Sequence, residues 1–229
     1  MPVSIVTNED NMAMMSRYPD KYFDLAIVDP PYGIDMGNYN RTVKDKVGKR
    51  HKAKEWDANI PLDSYFNELY RVSKNQIIWG GNYFPQLWLN GCKGFIFWNK
   101  KQPVQTFADG EMAWTSFDMP ARCFTYAYYG NLSGNTTAPT KIHTTQKPVE
   151  LYKWLLKNYA KSNDKILDTH LGSGSSRIAA YDLGFDFYGC ELDKDYFDAQ
   201  EKRFADHVSK IDFWQPEKEV IKVEPINLM

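Results

Sequence analysis

A carboxylate, two prolines and a tyrosine stand together at Asp29, Pro30, Pro31 and Tyr32. Because proline carries no N–H, this corner offers carbonyl oxygens and no backbone donor until Tyr32. A carboxylate beside a bare carbonyl suits a partner with two hydrogens to donate, such as the exocyclic amino group of a nucleobase, and the tyrosine ring suits stacking on that base. A proline-terminated core strand with a packing tyrosine accounts for the same residues, so these four alone leave both interpretations open.

A second candidate site is the glycine turn Gly172-Ser173-Gly174, which follows the apolar run ending at Asp168 and precedes a helix-forming segment. Glycines let a ligand approach the backbone closely, and a helix N-terminus offers N–H groups to a carboxylate. Glu191 lies nineteen residues beyond Gly172, a placement that suits acceptance from both hydroxyls of a ribose. The turn does not match the dinucleotide fingerprint, because Arg177 stands where that pattern has a third glycine.

Taken together, the two stretches resemble amino-group DNA methyltransferases, which methylate adenine N6 or cytosine N4 with S-adenosylmethionine. The corner resembles their Asp-Pro-Pro-Tyr motif, and Asp-x-x-x-Gly-x-Gly with a later acid resembles their S-adenosylmethionine loop. The corner precedes the loop, as in some permuted subclasses, and the resemblance spans about residues 4–204. The chain departs from the family at Thr169-His170, where Pro-Phe is common.

The resemblance assigns roles to further residues. An acid in the place of Asp10 accepts from the cofactor adenine's amino group, although Asp10 also suits capping of the following helix. Gln146-Lys147-Pro148 matches a Gln-Lys-Pro element that lies beside the cofactor's methionine moiety. The residues expected to bind S-adenosylmethionine are Asp10, Lys147, Pro148, Asp168, Gly172, Ser173, Gly174, Glu191 and Leu192, and those expected to act in catalysis are Asp29, Pro30, Pro31 and Tyr32.

The residue at position 29 bears on the substrate. Family members that act on cytosine commonly carry serine there, and those that act on protein glutamine or RNA guanine commonly carry asparagine. Asp29 therefore favours a flipped-out adenine in double-stranded DNA. The alternatives are cytosine N4 methylation and a non-catalytic nucleic-acid-binding module on the same scaffold, which would not need Asp29 and Tyr32.

A basic segment follows the corner. Residues 41–54 contain seven lysines or arginines and one acid, whereas the whole chain has a net charge of −1. We expect a mobile loop over residues 36–58 that contacts DNA phosphates, with an ordinary solvated loop as the alternative. The residues expected to bind DNA are Arg41, Lys44, Lys46, Lys49, Arg50, Lys52 and Lys54.

The elements that must position these residues alternate between helical and strand patterns, which favours βαβ units. We expect an α/β, Rossmann-like, doubly wound and mostly parallel sheet with one reversed strand, as the family has. Asp29, Asp168 and Glu191 should lie at the carboxyl ends of strands around one crevice. The catalytic domain should cover residues 1–211, with a small target-recognition insertion over 100–145 that contains two antiparallel aromatic strands, and a charged tail should cover 212–229.

Composition argues against a membrane protein, a secreted protein and a metal-binding protein. The 229 residues are 43% hydrophobic, and no run is long enough to span a membrane. The N-terminus lacks a signal-peptide pattern, and three scattered cysteines indicate neither disulfides nor a metal site, so we expect a cytoplasmic protein without a metal. Whether the chain forms a homodimer, or works beside a cognate restriction enzyme, is not encoded in a recognisable pattern.

Overall fold

The computed structural model describes residues 2–34, 59–101, 108–128, 141–143 and 145–214, with side chains described as far as residue 210. The strands are β1 Ser4–Thr7, β2 Phe23–Val28, β3 Ser73–Trp79, β4 Phe95–Asn99, β5 Gly110–Thr115, β6 Arg122–Thr125, β7 Lys165–Asp168 and β8 Asp186–Cys190. The α-helices are α1 Asn11–Met15, α2 Asp63–Val72, α3 Val149–Tyr159, α4 Ser175–Leu183 and α5 Lys194–Trp214. The predicted DNA-facing loop, residues 36–58 with all seven of its basic residues, lies outside the described ranges, and so does much of the predicted insertion.

Within the described ranges the strands form one sheet in the order β1-β8-β7-β2-β3-β5-β4-β6. Neighbouring strands from β1 to β3 are parallel, β5 pairs antiparallel with both β3 and β4, and β6 pairs parallel with β4. The prediction of a mostly parallel sheet with one reversed strand is confirmed, and β5 is that strand.

The central strand β2 shows why the sheet is covered on both faces. Its side chains alternate, so that Leu25 and Ile27 belong to one buried apolar cluster and Ala26 and Val28 to another. Helices α3 and α4 contribute to the first cluster, and α1 and α2 contribute to the second. A strand buried on both faces needs apolar residues at every position, which is why the run before Asp29 does not alternate with polar residues.

Three local features add detail to the predicted architecture. Two short 3-10 helices, over Gly81–Tyr83 and Pro85–Trp88, follow β3. Strand β6 runs opposite to β5 as expected, but β4 lies between them, so they form no hairpin. Helix α5 continues to Trp214, so the predicted tail boundary at residue 212 falls inside a helix. None of the helices in the described ranges is long and apolar enough to cross a membrane.

Candidate active site

The carboxyl ends of the parallel strands meet along one edge of the sheet, as parallel packing requires. Asp29 follows β2, Asp168 ends β7 and Glu191 follows β8, which confirms that all three lie at the carboxyl ends of strands. A cavity of about 940 Å³ opens at this edge. Of the predicted site residues, those that line the cavity are Asp10, Asp29, Pro30, Pro31, Tyr32, Lys147, Gly172, Ser173, Glu191 and Leu192.

Asp168, Gly174 and Pro148 are predicted site residues that do not line this cavity. Asp168 is buried beneath the glycine turn, where its carboxylate accepts from the Ser176 hydroxyl at 2.5 Å and from the His170 N–H at 3.0 Å. Gly174 precedes α4 in a left-handed conformation, and Pro148 precedes α3. All three therefore support residues that do line the cavity, namely His170, Ser173 and Lys147.

The Asp29 carboxylate is held by two donors. The Tyr32 hydroxyl donates to Oδ1, and the Lys147 ammonium donates to Oδ2. The Lys147 side chain is 2% exposed and that of Asp29 is 19% exposed, so of these two lining groups the carboxylate is the more open to the cavity. Burial raises the pKa of the Asp29 carboxyl above its usual range, although the Lys147 cation and the Tyr32 hydroxyl act in the opposite direction.

The Tyr32 ring owes its position to a glycine. Gly80 follows β3 with a φ of +67°, and a Cβ on it would lie 2.1 Å from Cε1 of Tyr32. A side chain at position 80 would therefore occupy the space of the ring. On another side, Tyr32 stacks on Tyr83 with ring centroids 5.1 Å apart and planes 13° apart, so a base has no room between these two rings.

Lys147 contacts Asp29 directly, a role that its motif does not suggest. Its ammonium also lies 3.1 Å from Oε2 of Glu111, and Lys100 lies 2.5 Å from the other oxygen of Glu111. Burial lowers the proton affinity of the Lys147 amine, but the carboxylates of Asp29 and Glu111 more than offset this effect, and its pKa is raised. Burial alone would raise the pKa of Glu111, but Lys147 and Lys100 lower it to about 2.

The reversal of β5 brings Glu111 to this edge. A reversed strand begins where its parallel neighbours end, and Gly80 N–H donates to the Met112 carbonyl at 2.9 Å, one residue from Glu111. Lys100 reaches the same place because it follows β4, whose last residues pair with the first residues of β5. Sequence reasoning missed Glu111 and Lys100, and the only available signal was a charged residue inside an otherwise apolar strand.

At the other end of the cavity, Glu191 organises the glycine turn. Its Oε2 accepts from the Gly172 N–H at 2.8 Å and its Oε1 from the Asp193 N–H at 2.9 Å. Gly172 has a φ of +51°, and a Cβ there would meet only the His143 ring, at 3.7 Å. A carboxylate oxygen that accepts one N–H can accept a second donor, so Glu191 suits a ligand with hydroxyl groups.

Asp10 and Leu192 complete this end. The Oδ1 atom of Asp10 accepts from the Met12 and Ala13 N–H groups at 2.9 and 3.1 Å, which makes Asp10 the N-cap of α1 while it lines the cavity. The side chain of Asn8 donates to the carbonyls of Glu191 and Leu192 and so joins the ends of β1 and β8. Leu192 is 72% exposed and presents an apolar surface to the cavity.

The unusual Thr169-His170 pair forms part of the wall between the two ends. The Asn11 amide donates to Nε2 of His170 at 3.0 Å, so the ring proton lies on Nδ1, which faces the Thr169 hydroxyl at 3.0 Å. Tyr65 bonds the same hydroxyl at 2.7 Å. Burial lowers the pKa of His170 to about 4, and the ring is therefore neutral at physiological pH.

The Gly172 end of the cavity suits a ligand that approaches the backbone closely and carries hydroxyl groups and an apolar face. A glycine backbone without side-chain obstruction, a carboxylate set by two N–H groups and an exposed leucine lie along one end, around Gly172, Glu191 and Leu192. The volume is also at the upper end of the range that small-molecule sites occupy, which leaves space for a second group beside Asp29. Among the described residues no cluster of three or more His, Cys, Asp or Glu side chains could hold a metal ion.

The chain is similar in sequence to known methyltransferases. A family model described as DNA methylase, of the N6/N4 methyltransferase kind, matches residues 86–202, just over half of the chain. The type II methyltransferase M.HinfI of Haemophilus influenzae is 25% identical over 250 residues, which cover 89% of this chain and 69% of that protein. The type II methyltransferase M.BglII of Bacillus subtilis is 22% identical over 245 residues, which cover 84% and 66%. The chain thus spans about two thirds of the length of these relatives.

Solved structures share the fold. M1.HpyAVI in complex with SAM superposes with a TM-score of 0.60 at 18% identity, over 89% of this chain and 100% of that one. The PvuII DNA methyltransferase, which is cytosine-N4-specific, superposes with a TM-score of 0.56 at 10% identity, over 91% of this chain and 93% of that one. These likenesses confirm the predicted methyltransferase fold.

Proposed function

The chain belongs to the family of amino-group DNA methyltransferases, and from this premise we propose that it transfers a methyl group from S-adenosylmethionine to N6 of a flipped-out adenine in DNA. The observation that carries the proposal is the convergence of two distant motifs. The Asp29 corner and the Gly172–Glu191 turn line opposite ends of one cavity, although more than a hundred residues separate them. The electrophile and the nucleophile of a methyl transfer need such a shared space.

The cofactor occupies the Glu191 end in this proposal. Glu191 accepts from the ribose hydroxyls, Leu192 packs on the adenine ring, and Asp10 accepts from the adenine amino group. The open backbone at Gly172 and Ser173 leaves space for the methionine chain. When bound, the cofactor supplies a methyl group on a positively charged sulfur.

The target amino group occupies the Asp29 end. The nitrogen is a poor nucleophile because its lone pair is delocalised into the ring of the base. Asp29 accepts one amino hydrogen and the Pro30 carbonyl accepts the other, and both bonds pull the nitrogen toward tetrahedral geometry. The carboxylate already accepts from Tyr32 and Lys147, but its two oxygens provide about four acceptor directions, so a third donor can be added. This nitrogen would take the methyl group from the sulfur of the bound cofactor and, positive after methylation, would return to neutrality by releasing one amino proton to solvent water.

Adenine rather than cytosine is proposed because of the residue type at position 29. Both bases offer an amino group with two hydrogens, so the hydrogen-bond geometry serves either. Family members that act on cytosine commonly carry serine where this chain has Asp29, which supports adenine.

DNA contact is proposed for the basic segment after the corner. Seven cationic residues give this segment a charge density that suits the phosphate backbone, and they follow closely on the Asp29–Tyr32 corner in the sequence. They are Arg41, Lys44, Lys46, Lys49, Arg50, Lys52 and Lys54. Binding through phosphates releases counterions, so affinity should fall steeply with salt and fall equally for all sequences when these residues are neutralised.

Product analysis tests the proposal. Genomic DNA made unmethylated by enzymatic amplification is incubated with the protein and methyl-labelled S-adenosylmethionine, digested to nucleosides and separated by mass. Labelled N6-methyldeoxyadenosine is the expected product, and it should be absent with Asp29→Ala, which should still bind the cofactor in calorimetry. Labelled N4-methyldeoxycytidine would replace the adenine assignment with the cytosine one, and no label in DNA would reject both.

A further inference from the structure

Four charged side chains of alternating sign form a row that starts at the Asp29 end of the cavity and runs along the edge of the sheet. Asp29, Lys147, Glu111 and Lys100 follow one another, with Lys147 buried between the two carboxylates. The Lys147 amine lies 3.1 Å from Glu111 and is also bonded to Asp29. The Lys147 amine also lies 3.3 Å from the hydroxyl of Tyr32 and 5.4 Å from the ring centroid of Trp79.

The two carboxylates that share Lys147 differ in how firmly they hold their charge. Among the residues that the structure describes, Glu111 has two cations within salt-bridge distance, whereas Asp29 has one. Glu111 is therefore the fixed anion of the cluster, and Asp29 is the group that protonation or a new donor affects first. The inner three groups, Asp29, Lys147 and Glu111, carry a net charge of one negative unit, which Lys100 balances only at the Glu111 end of the row.

This net charge matters for methyl transfer, because the attacking nitrogen becomes positive as it takes the methyl group. A lone Asp29–Lys147 pair would present no net charge to that nitrogen, since the ammonium would offset the carboxylate. We propose that Glu111 is a positioning residue for the reaction, which holds Lys147 in place and leaves the Asp29 end of the cluster negative toward the target amino group. The inference rests on the proposed function in one respect, that Asp29 is the group that holds the amino nitrogen.

The charged and titratable groups of the cluster come from four parts of the fold. Asp29 and Tyr32 come from the corner after β2, Glu111 from β5, Lys100 from the end of β4 and Lys147 from the start of α3. Tyr152 on α3, Asp168 on β7 and Lys141 also interact electrostatically with the cluster, and burial raises the pKa of Tyr152 and Asp168 and lowers that of Lys141. Glu111, at 24% exposed, and Lys100, at 21% exposed, are the members closest to solvent.

Glu111→Gln tests the proposal because it keeps the shape and removes the charge. The turnover rate is measured across pH at saturating labelled S-adenosylmethionine, on amplified unmethylated genomic DNA. We expect a loss of about 10–100-fold in kcat, corresponding to one charge-assisted interaction with the transition state, with unchanged affinity for the cofactor. In a plot of kcat against pH, we expect Asp29 to set the acidic limb and Lys147 to set the alkaline limb. The Glu111 charge raises the pKa of both groups, so its removal should move both limbs to lower pH.

Three companion variants separate electrostatics from packing. Glu111→Asp retains the charge and should keep both limbs near their wild-type positions. Lys100→Met removes a positive charge from the same cluster and should move both limbs to higher pH, which keeps the test valid if Glu111→Gln is too unstable to assay. Asp24→Asn is the matched control, because Asp24 is 23% exposed, as Glu111 is 24% exposed, and pairs with Lys74 at 2.6 Å at the opposite end of β2. It should leave both limbs in place.

A measurement without DNA makes the test independent of turnover. The Lys147 side chain is titrated by ¹³C NMR of its ε-carbon, with the signal assigned by its absence in Lys147→Met, and its pKa should be lower in Glu111→Gln than in wild type. An unchanged Lys147 titration together with unmoved limbs would overturn the role of Glu111. Absence of methylated DNA with the wild-type protein, or near wild-type activity of Asp29→Ala, would instead reject the proposed function, so the two failures are distinguishable.

Discussion

Replacing Lys147 with methionine removes the buried cation that two carboxylates share, and the structure fixes the size of the effect. The side chain is 2% exposed and is bonded to Asp29 and Glu111, so its loss leaves two anions close together without a cation between them. Removing one partner of a buried ion pair costs about 3–5 kcal/mol. For a chain of this size that corresponds to a fall in Tm of roughly 6–20 °C.

The cost should depend on pH in a defined direction. In the wild type Glu111 has a pKa lowered to about 2, so its contribution to stability is present above its usual pKa and is lost as the pH falls toward 2. Without Lys147 that contribution shrinks, and the two carboxylates relieve their repulsion by binding a proton. The difference in unfolding free energy between wild type and variant should therefore be largest near neutral pH and smaller at pH 4 to 5.

Chemical denaturation at several pH values measures this difference, and methylation of DNA is assayed beside it. Activity should fall by at least 10–100-fold at neutral pH, because a protonated Asp29 can no longer accept from the amino group as an anion. Lys194→Met is the control, since Lys194 pairs with Asp198 on the surface of α5, where such pairs contribute about 0.3–0.5 kcal/mol. A Lys147→Met protein as stable and as active as Lys194→Met would refute the reasoning.

Three further predictions concern the rest of the edge. Glu191→Ala should weaken binding of S-adenosylmethionine by about 10–150-fold in calorimetry, the loss of one charge-assisted interaction of about 1.5–3 kcal/mol, and an unchanged Kd would contradict its assignment. Gly80→Ala should cost at least about 1 kcal/mol more than Gly91→Ala and should reduce methylation, because both glycines have left-handed φ but only a Cβ at Gly80 meets Tyr32. Burial raises the pKa of Asp168 to about 7, so wild-type stability should fall as pH rises from about 4 to 7, and Asp168→Asn should gain up to about 4 kcal/mol relative to wild type across that window in urea unfolding. Parallel stability curves for the two proteins would show that Asp168 does not titrate there.

The acids at the strand ends could be predicted from the sequence because their signals are local. A buried strand is a short apolar run, and the first polar residue after it lies at the edge of the sheet. This pattern placed Asp29, Asp168 and Glu191 correctly. The prediction could not distinguish a residue that lines the cavity from one that supports it, because Asp168 turns its carboxylate toward the Ser176 hydroxyl and the His170 N–H behind the turn.

The row of charged side chains could not be predicted, because it depends on which strands become neighbours. Lys147 and Asp29 are 118 positions apart, and the motif around Lys147 indicates, by its resemblance, a place beside the cofactor and not a contact with Asp29. Glu111 reaches the cavity because β5 enters the sheet between β3 and β4 in the reverse direction. The sequence predicted one reversed strand without indicating which strand it was or where it inserts, so no pattern placed Glu111 beside Lys147.

The position of the reversed strand also explains how one edge serves two tasks. Strands β1, β8 and β7 lie on one side of β2, and their ends supply Asp10, Glu191 and the glycine turn. Strands β3, β5 and β4 lie on the other side and supply Gly80, Glu111 and Lys100. Asp29, at the end of the central strand, is the point where the two halves meet. In the proposed function, β5 therefore sets the polarity of the end that receives the base without disturbing the end that receives the cofactor. That separation is why a change at Glu111 should alter the pH dependence of turnover and leave cofactor binding intact.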